Sequence, residues 1–249
     1  MMATTVAQVV RVAPDGGRAQ ITLPDEAGVL NWHARTRMAG PRLMRDFDLA
    51  QAGQHLVVPR KIFPGGRTEV SRRKGFDLVL YEAADRSDSC LVWAGPYNEA
   101  TTWFGAPAPR TAVLNRLVSS VVFTDTPEGA LLSPAKGTAI EQFSTNVYGE
   151  NDHLLIAVQD ARIARESVPE WRGAQQGDTE VWKEALDLDP EQKAALAGTP
   201  YEWRYLYANA TAVFEVILRM RAGGAGLRST GNEERATAVL SGLRVAWAT

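Results

Sequence analysis

The segment TAVLNRLVSSVVF, residues 111–123, has a counterpart in TAVLSGLRVAWAT, residues 237–249. In both, AVL-x-x-L sets apolar side chains three and four residues apart, the spacing of one helix face, and then passes into a strand-like apolar run. Each reads as an amphipathic helix feeding a strand. The matching leucines, Leu114 and Leu240, stand 126 positions apart in a chain of 249 residues. This spacing suggests a duplicated chain, with tandem related modules at 1–125 and 126–249 that pack separately or as one domain. The competing explanation is that AVL-x-x-L is how any amphipathic helix buries a face, and that such tetrads recur by chance in a chain rich in Ala and Val.

Reading outward from residue 111, the preceding segments are mostly strand-like. Val6, Val10 and Val12 lead into the turn letters PDGG, and Ile21 and Leu23 follow, which predicts a β-hairpin. PRLMRDFDLAQAG places Leu43, Met44, Phe47 and Leu49 or Ala50 at roughly helical spacing before Gly53 and predicts a short helix. HLVVPRKIF reads as extended. GFDLVLYEA and CLVWAG read as strands joined by the polar turn ADRSDS.

The second half gives similar signals. STNVY and HLLIAVQDA flank the turn letters GEND. DPEQKAALAG has Asp189 at the N-cap, Pro190 at the first helical position, Gln192 at the third and Gly198 past the end, a complete set of helix boundaries. WRYLYA reads as a strand. Ala212, Phe214, Val216, Leu218 and Met220 alternate with Val213, Glu215, Ile217 and Arg219, so AVFEVILRM is a strand as well. A Gly-rich loop, AGGAGLRSTG, then precedes the helix NEERATAVLSGL and the strand RVAWA. The fold class expected is α+β, with mainly antiparallel sheets flanked by helices.

VLNRLVSSVVF, residues 113–123, together with ITLPDEAGVLNW, residues 21–32, resembles the PsbP/DcrB-like α/β sandwich modules. The resemblance covers these two short stretches of the first half. It implies an antiparallel sheet flanked by helices and an accessory or binding role rather than an enzymatic one. The second half departs from it, because Leu243 to Trp247 lacks the Ser-x-x-Phe element, and no site residue transfers.

Composition narrows the chemistry. A formal charge of -2 and a pI near 6.0 give no global attraction to nucleic acid or anionic membrane. Five lysines stand against 22 arginines, a bias associated with high-GC bacteria and their phages. The opening MMATTVAQVVRVAPDGG has neither a basic n-region nor a continuous apolar h-region, and no apolar run approaches a membrane span, so a cytoplasmic protein is expected. Cys90 is the one cysteine, which removes intrachain disulfides and Cys-based zinc sites. It reads as a small buried hydrophobe.

Only His33, His55 and His153 have an ordinary pKa suited to acid–base work near neutrality, and no two share a helical i, i+4 or metal-ligand spacing. Of the paired carboxylates, Asp187 and Asp189 are explained by helix capping, and Asp46 and Asp48 by helix-surface acidity. No GxxxxGK[ST], GxGxxG after a strand, or G-x-S-x-G occurs. No cofactor or metal is expected.

Two stretches remain as binding candidates. PRKIFPGGRTEVSRRKG sets Arg60, Lys61, Arg67, Arg72, Arg73 and Lys74 against Glu69 alone. Such a stretch forms either a docking patch for an anionic partner or a solvated hairpin whose charges keep a strand edge from pairing. AGPYNEATTWFGAPAP carries Tyr97, Trp103 and Phe104 among turn-forming residues, where aromatics either plug a core or make a recognition surface. The binding residues expected are therefore Trp103, Phe104, Tyr97, Arg67, Arg72, Arg73 and Lys74. The function expected is a non-catalytic interaction protein: an adaptor, a chaperone-like accessory factor, or a structural subunit of a bacterial or phage assembly. It would engage a protein partner or copies of itself rather than nucleic acid. The alternative is a small cytoplasmic enzyme with acid–base residues drawn from distant loops around His33, His55 and Asp46.

Overall fold

The computed structural model describes residues 6–41, 43–219 and 230–249. In chain order the elements are β1 (Val6–Val12), β2 (Arg18–Pro24), β3 (Asn31–Gly40), β4 (Leu43–Gln51), β5 (Arg67–Arg73), β6 (Phe76–Glu82), β7 (Ser89–Ala94), β8 (Asn98–Trp103), α1 (Thr111–Ser120), β9 (Val121–Thr126) and β10 (Gly129–Pro134). They continue with β11 (Gln142–Glu150), β12 (Leu154–Asp160), α2 (Ala161–Ala164), β13 (Ala174–Gln176), β14 (Thr179–Ala185), α3 (Pro190–Leu196), β15 (Trp203–Ala208), β16 (Ala212–Leu218), α4 (Thr230–Gly242) and β17 (Arg244–Ala248). The fold is α+β, mostly antiparallel sheet with a few helices.

Two compact units gather these elements. One is drawn from Met1–Arg11, Gly17–Trp32 and Val147–Thr249, the other from Val12–Gly16 and His33–Asn146. Both are discontinuous in sequence, and a module boundary after residue 125 falls inside β9.

In the unit built on His33–Asn146, the strands run in the order β11, β3, β4, β8, β7, β6, β5. Directly opposed residues of an antiparallel pair share a face, so the register sorts the side chains. Trp93 opposes Leu78 and Ala100, and Phe47 opposes Thr36, which puts the large apolar groups of the central strands on one side. There Met38, Phe47, Leu49, Leu78, Leu91 and Trp93 are buried under Leu117 of α1 and under Val121, Phe123, Ala130 and Leu132 of the β9–β10 hairpin. The Phe47 and Trp93 rings meet edge to face at 5.7 Å, a favoured aromatic geometry. On the other face Val79, Tyr81, Cys90 and Val92 are covered at one corner by Val58 and Phe63. The central strands β6 and β7 are thus apolar on both sides, and their sequences are near-continuous apolar runs rather than alternating ones.

In the other unit, β13, β14, β15, β16, β12 and residues 147–150 of β11 lie side by side, and β1, β2 and β17 make a separate sheet. β17 pairs antiparallel with β2, Arg244 opposite Thr22. Helix α4 buries Ala236 and Val239, and Leu243 just after it is buried too. The alternation read in β16 is real, with Phe214, Val216 and Leu218 buried. Asp189 caps α3 by accepting from the Gln192 N–H at 2.8 Å, with Pro190 at the first position and Gly198 at φ +75°.

Several local expectations are corrected. Residues 41–53 do not form a helix: Leu43–Gln51 is β4, in which Leu43, Phe47 and Leu49 fall on the buried face while Met44 is 67% exposed. The exposed Met44 gave the period its helical look. HLVVPRKIF is not extended but coils into a 3-10 turn, Gln54–Val57, and a π-helical turn, Val58–Ile62, closed by the Phe63 N–H donating to the Val58 carbonyl at 2.7 Å. Its apolar residues look outward and inward in turn, with Val58 buried and Leu56, Val57 and Ile62 exposed. Asp46 and Asp48 accordingly sit on a strand, facing Arg37 and Arg35 across β3. With β4 a strand, the two sequence halves differ in element order. The helix-to-strand exits differ too, since α1 runs to Ser120 whereas α4 ends at Gly242. Residues 222–229 of the Gly-rich loop, and Met220, lie outside the described residues.

Candidate interaction surface

Strand β5 ends the strand order, and all seven of its residues are exposed. It is held to β6 by a two-residue loop, Lys74 and Gly75, with Gly75 at φ +90°, a conformation that favours glycine. Nothing among the described residues pairs with its outer side. An edge of this kind presents unpaired N–H and C=O groups.

The basic residues read from sequence divide between the two faces of this strand. Arg67 and Arg73 lie on the face that continues into Leu78, Leu91 and Trp93. Arg72 lies on the face of Val70, which is 60% exposed, and opposes Asp77. Arg67 pairs with Glu69. Arg60, Lys61, Arg72, Arg73 and Lys74 form no ion pair with any described carboxylate. The helical turns over 54–62 expose Leu56, Val57 and Ile62 together with Arg60 and Lys61. β5 is thus an unpaired strand edge that carries exposed cations on both faces.

Register fixes what each aromatic candidate can do. Thr68, Tyr81, Cys90 and Trp103 form one row across β5, β6, β7 and β8, so Trp103 lies on the face covered by Phe63. The Trp103 and Phe63 rings meet edge to face at 5.9 Å, leaving Trp103 37% exposed. Phe104 packs instead against the core cluster on the opposite face, with the Arg45 guanidinium 4.8 Å above its ring. The two neighbours therefore do not form a joint anchor. Tyr97 is exposed at the other end of β8, where its N–H donates to Asp125 at 2.7 Å. Sequence reasoning missed Phe63 and Val70, and the signal for Val70 was its place inside a basic run.

The histidines and carboxylates considered for catalysis are dispersed. His55 lies against Glu99, Nδ1 to Oε2 at 2.6 Å, and Asp46 faces Arg37 on exposed strand surface. His33 is on β3 and His153 between β11 and β12. Asp187 and Asp189 stand before α3. His153 joins Glu26, Tyr201 and Arg235 around a cavity of about 20 Å³, room for about one water. Burial, then Glu233, raises the Tyr201 phenol above its ordinary value, against the Arg235 charge. Burial pushes the Cys90 thiol up to about 12, with Asp88 adding to it. A thiol so shifted is a poor nucleophile. Among the described residues no group of three or more His, Cys, Asp or Glu is placed to hold a metal ion. No described helix is long and apolar enough to cross a membrane. No protein-family model, curated protein or solved structure matches the chain.

Proposed function

We propose that this is a non-catalytic interaction protein, an adaptor, accessory factor or structural subunit of a larger assembly, that binds an extended acidic segment of a protein partner along β5. The observation that carries the reading is a strand exposed at every position, ending the strand order, with unpaired cations on both faces. Added strands gain affinity from main-chain hydrogen bonds and specificity from side chains that alternate between faces. Charge selects the occupant. Residues 60–74 carry six cations and one acid, so a second copy of the same edge would bring like charge against like, whereas an acidic strand would neutralise it. Val70 supplies an apolar contact on one face. Kinship with the PsbP/DcrB-like modules belongs to this proposal and rests on residues 21–32 and 113–123. A relation between the sequence halves rests on the two AVL-x-x-L exits.

A fluorescent peptide alternating Glu with Val, read by anisotropy, tests the proposal. Binding that weakens with salt, and by about tenfold or more in Arg72→Glu/Arg73→Glu, is the expected result. Equal binding of the same peptide with N-methylated backbone amides would leave charge contact without strand addition and overturn it.

A further inference from the structure

A second site lies wholly within the unit built on His33–Asn146, on the face that carries α1. Between α1, the start of β4 and the loop after β10 runs a groove of about 720 Å³, within the range of small-molecule sites. Its floor is apolar: Leu43 and Leu117 are buried, and Leu114 and Phe104 partly so. At the mouth Met44 and Val113 are 67% and 45% exposed, which leaves apolar surface facing solvent.

The polar groups around this floor are of one sign. Arg45, Arg116 and Lys136 line the groove, and no acidic residue does so among those described. None of the three pairs with a described carboxylate. The hydroxyls are already committed: Ser119 donates to the Arg116 carbonyl at 3.0 Å, Ser120 to the Leu117 carbonyl at 2.7 Å, and Thr138 to the Ser120 carbonyl at 3.2 Å. The cations are therefore the donors left for a guest. Arg45 is fixed in place, stacked over Phe104 with its guanidinium donating to the Trp103 carbonyl at 3.4 Å. The far wall is fixed as well. The Glu141 N–H donates to the Ala39 carbonyl at 2.9 Å, and a Cβ on Gly40 would stand 2.2 Å from the Ala139 carbonyl oxygen. Backbones approach that closely only with glycine there.

We infer that this groove binds a small amphiphile with an apolar chain and a single anionic head, of the fatty-carboxylate class. The chain covers Leu43, Leu114 and Leu117, and the head accepts hydrogen bonds from Arg45, Arg116 and Lys136. An apolar floor under a cationic rim matches such a molecule better than it matches a free inorganic anion, which would leave the floor wet, or an uncharged hydrocarbon, which would leave the rim unused.

The experiment is displacement of anilinonaphthalene sulfonate from the full chain by dodecanoate, dodecanol, dodecyltrimethylammonium and inorganic phosphate. Dodecanoate is expected to compete best, and Arg45→Ala and Lys136→Ala each to weaken it by about tenfold, the scale of one charge-assisted hydrogen bond. Arg72→Glu/Arg73→Glu should leave it unchanged, which separates this site from the β5 edge. Leu114→Gln, on a partly exposed helix face, should weaken dodecanoate and dodecanol alike while circular dichroism stays native. Equal competition by dodecyltrimethylammonium, or dodecanoate affinity unmoved by both cation variants, would overturn the inference. So would binding to phosphatidylglycerol vesicles without uptake of monomeric dodecanoate, because the cations would then be reading a bilayer surface.

Discussion

The Glu99 carboxylate, 3% exposed, receives the His55 ring at 2.6 Å while also accepting the backbone N–H groups of Gly53 and His55. One buried side chain thereby fixes the start of the helical turns whose Val58 and Phe63 cover a corner of the sheet. Removing it leaves these partly buried donors without that acceptor. Glu99→Ala is expected to lower unfolding free energy in urea by roughly 3 kcal/mol, and Glu99→Gln, which keeps an oxygen acceptor, by less. A loss within experimental error for Glu99→Ala would mean that water replaces the carboxylate at no cost.

Trp103 is half of an aromatic pair rather than a core residue, since among the described residues only Phe63 is in ring contact with it and 37% of its surface stays in water. Trp103→Ala should therefore cost about 1–2 kcal/mol of stability, below the range for a wholly buried tryptophan. The same variant should leave binding of the acidic peptide unchanged, because β8 stands three strands in from β5. Thermal melting and anisotropy on one preparation read both effects. A loss of more than about 4 kcal/mol would move Trp103 into the core, and a loss of peptide binding would place the peptide on the β8 face rather than at the β5 edge.

Acid sensitivity has two opposing sources in the unit that contains Val147–Thr249. Asp160 caps α2, and its carboxyl is held below the usual range chiefly by the hydrogen bond from the Arg162 side chain, helped by the Arg162 N–H and charge and opposed by burial. Its folded pKa lies below its unfolded one, so its stabilising contribution is present above the ordinary aspartate value and is lost as pH falls through the folded value. Glu215 is raised by burial first, then by Glu184, against the Arg204 charge. Its contribution is full below the ordinary glutamate value and is lost as pH rises through the raised one. Asp160→Asn should flatten the fall of melting temperature below about pH 4, and Glu215→Gln should remove a loss on the way from acid to neutrality. Unchanged pH profiles in both would show that neither group is linked to folding.

Cys90 is fully buried between Tyr81 and Trp103 in the row across β6, β7 and β8. Its thiol should resist Ellman's reagent at pH 8 in the native protein and react at once in denaturant. Stoichiometric labelling within minutes under native conditions would contradict the packing of that row.

Much of the framework could be read from the chain because the signals were local. Asp189, Pro190, Gln192 and Gly198 define α3 without outside help, and the alternation in Ala212–Leu218 defines β16. β4 could not be read this way, because its exposed Met44 fills a helical phase that only pairing with β3 and β8 breaks. Residues 54–62 misled for a related reason: Pro59 and two valines look extended, and the Phe63-to-Val58 bond that coils them depends on the Glu99 anchor supplied by β8. The basic run was visible, but its position on a sheet edge follows from strand order. Trp103 and Phe104 look like one anchor in sequence, and the pleat parts them. The groove was invisible, since its walls come from residues 41, 43–45, 104, 113, 114, 116, 117, 119, 120 and 136–139, which only the fold assembles.

The pairing of Arg244 in β17 with Thr22 in β2 also bears on how the protein is made. On the ribosome, every segment of the unit built on Val12–Gly16 and His33–Asn146 has emerged while most of its companion is still untranslated. That unit can collapse on the nascent chain, but β2 must wait for β17 before its sheet is complete. Until β17 has been made, β2 is an open edge, exposed to mispairing and to chaperone capture.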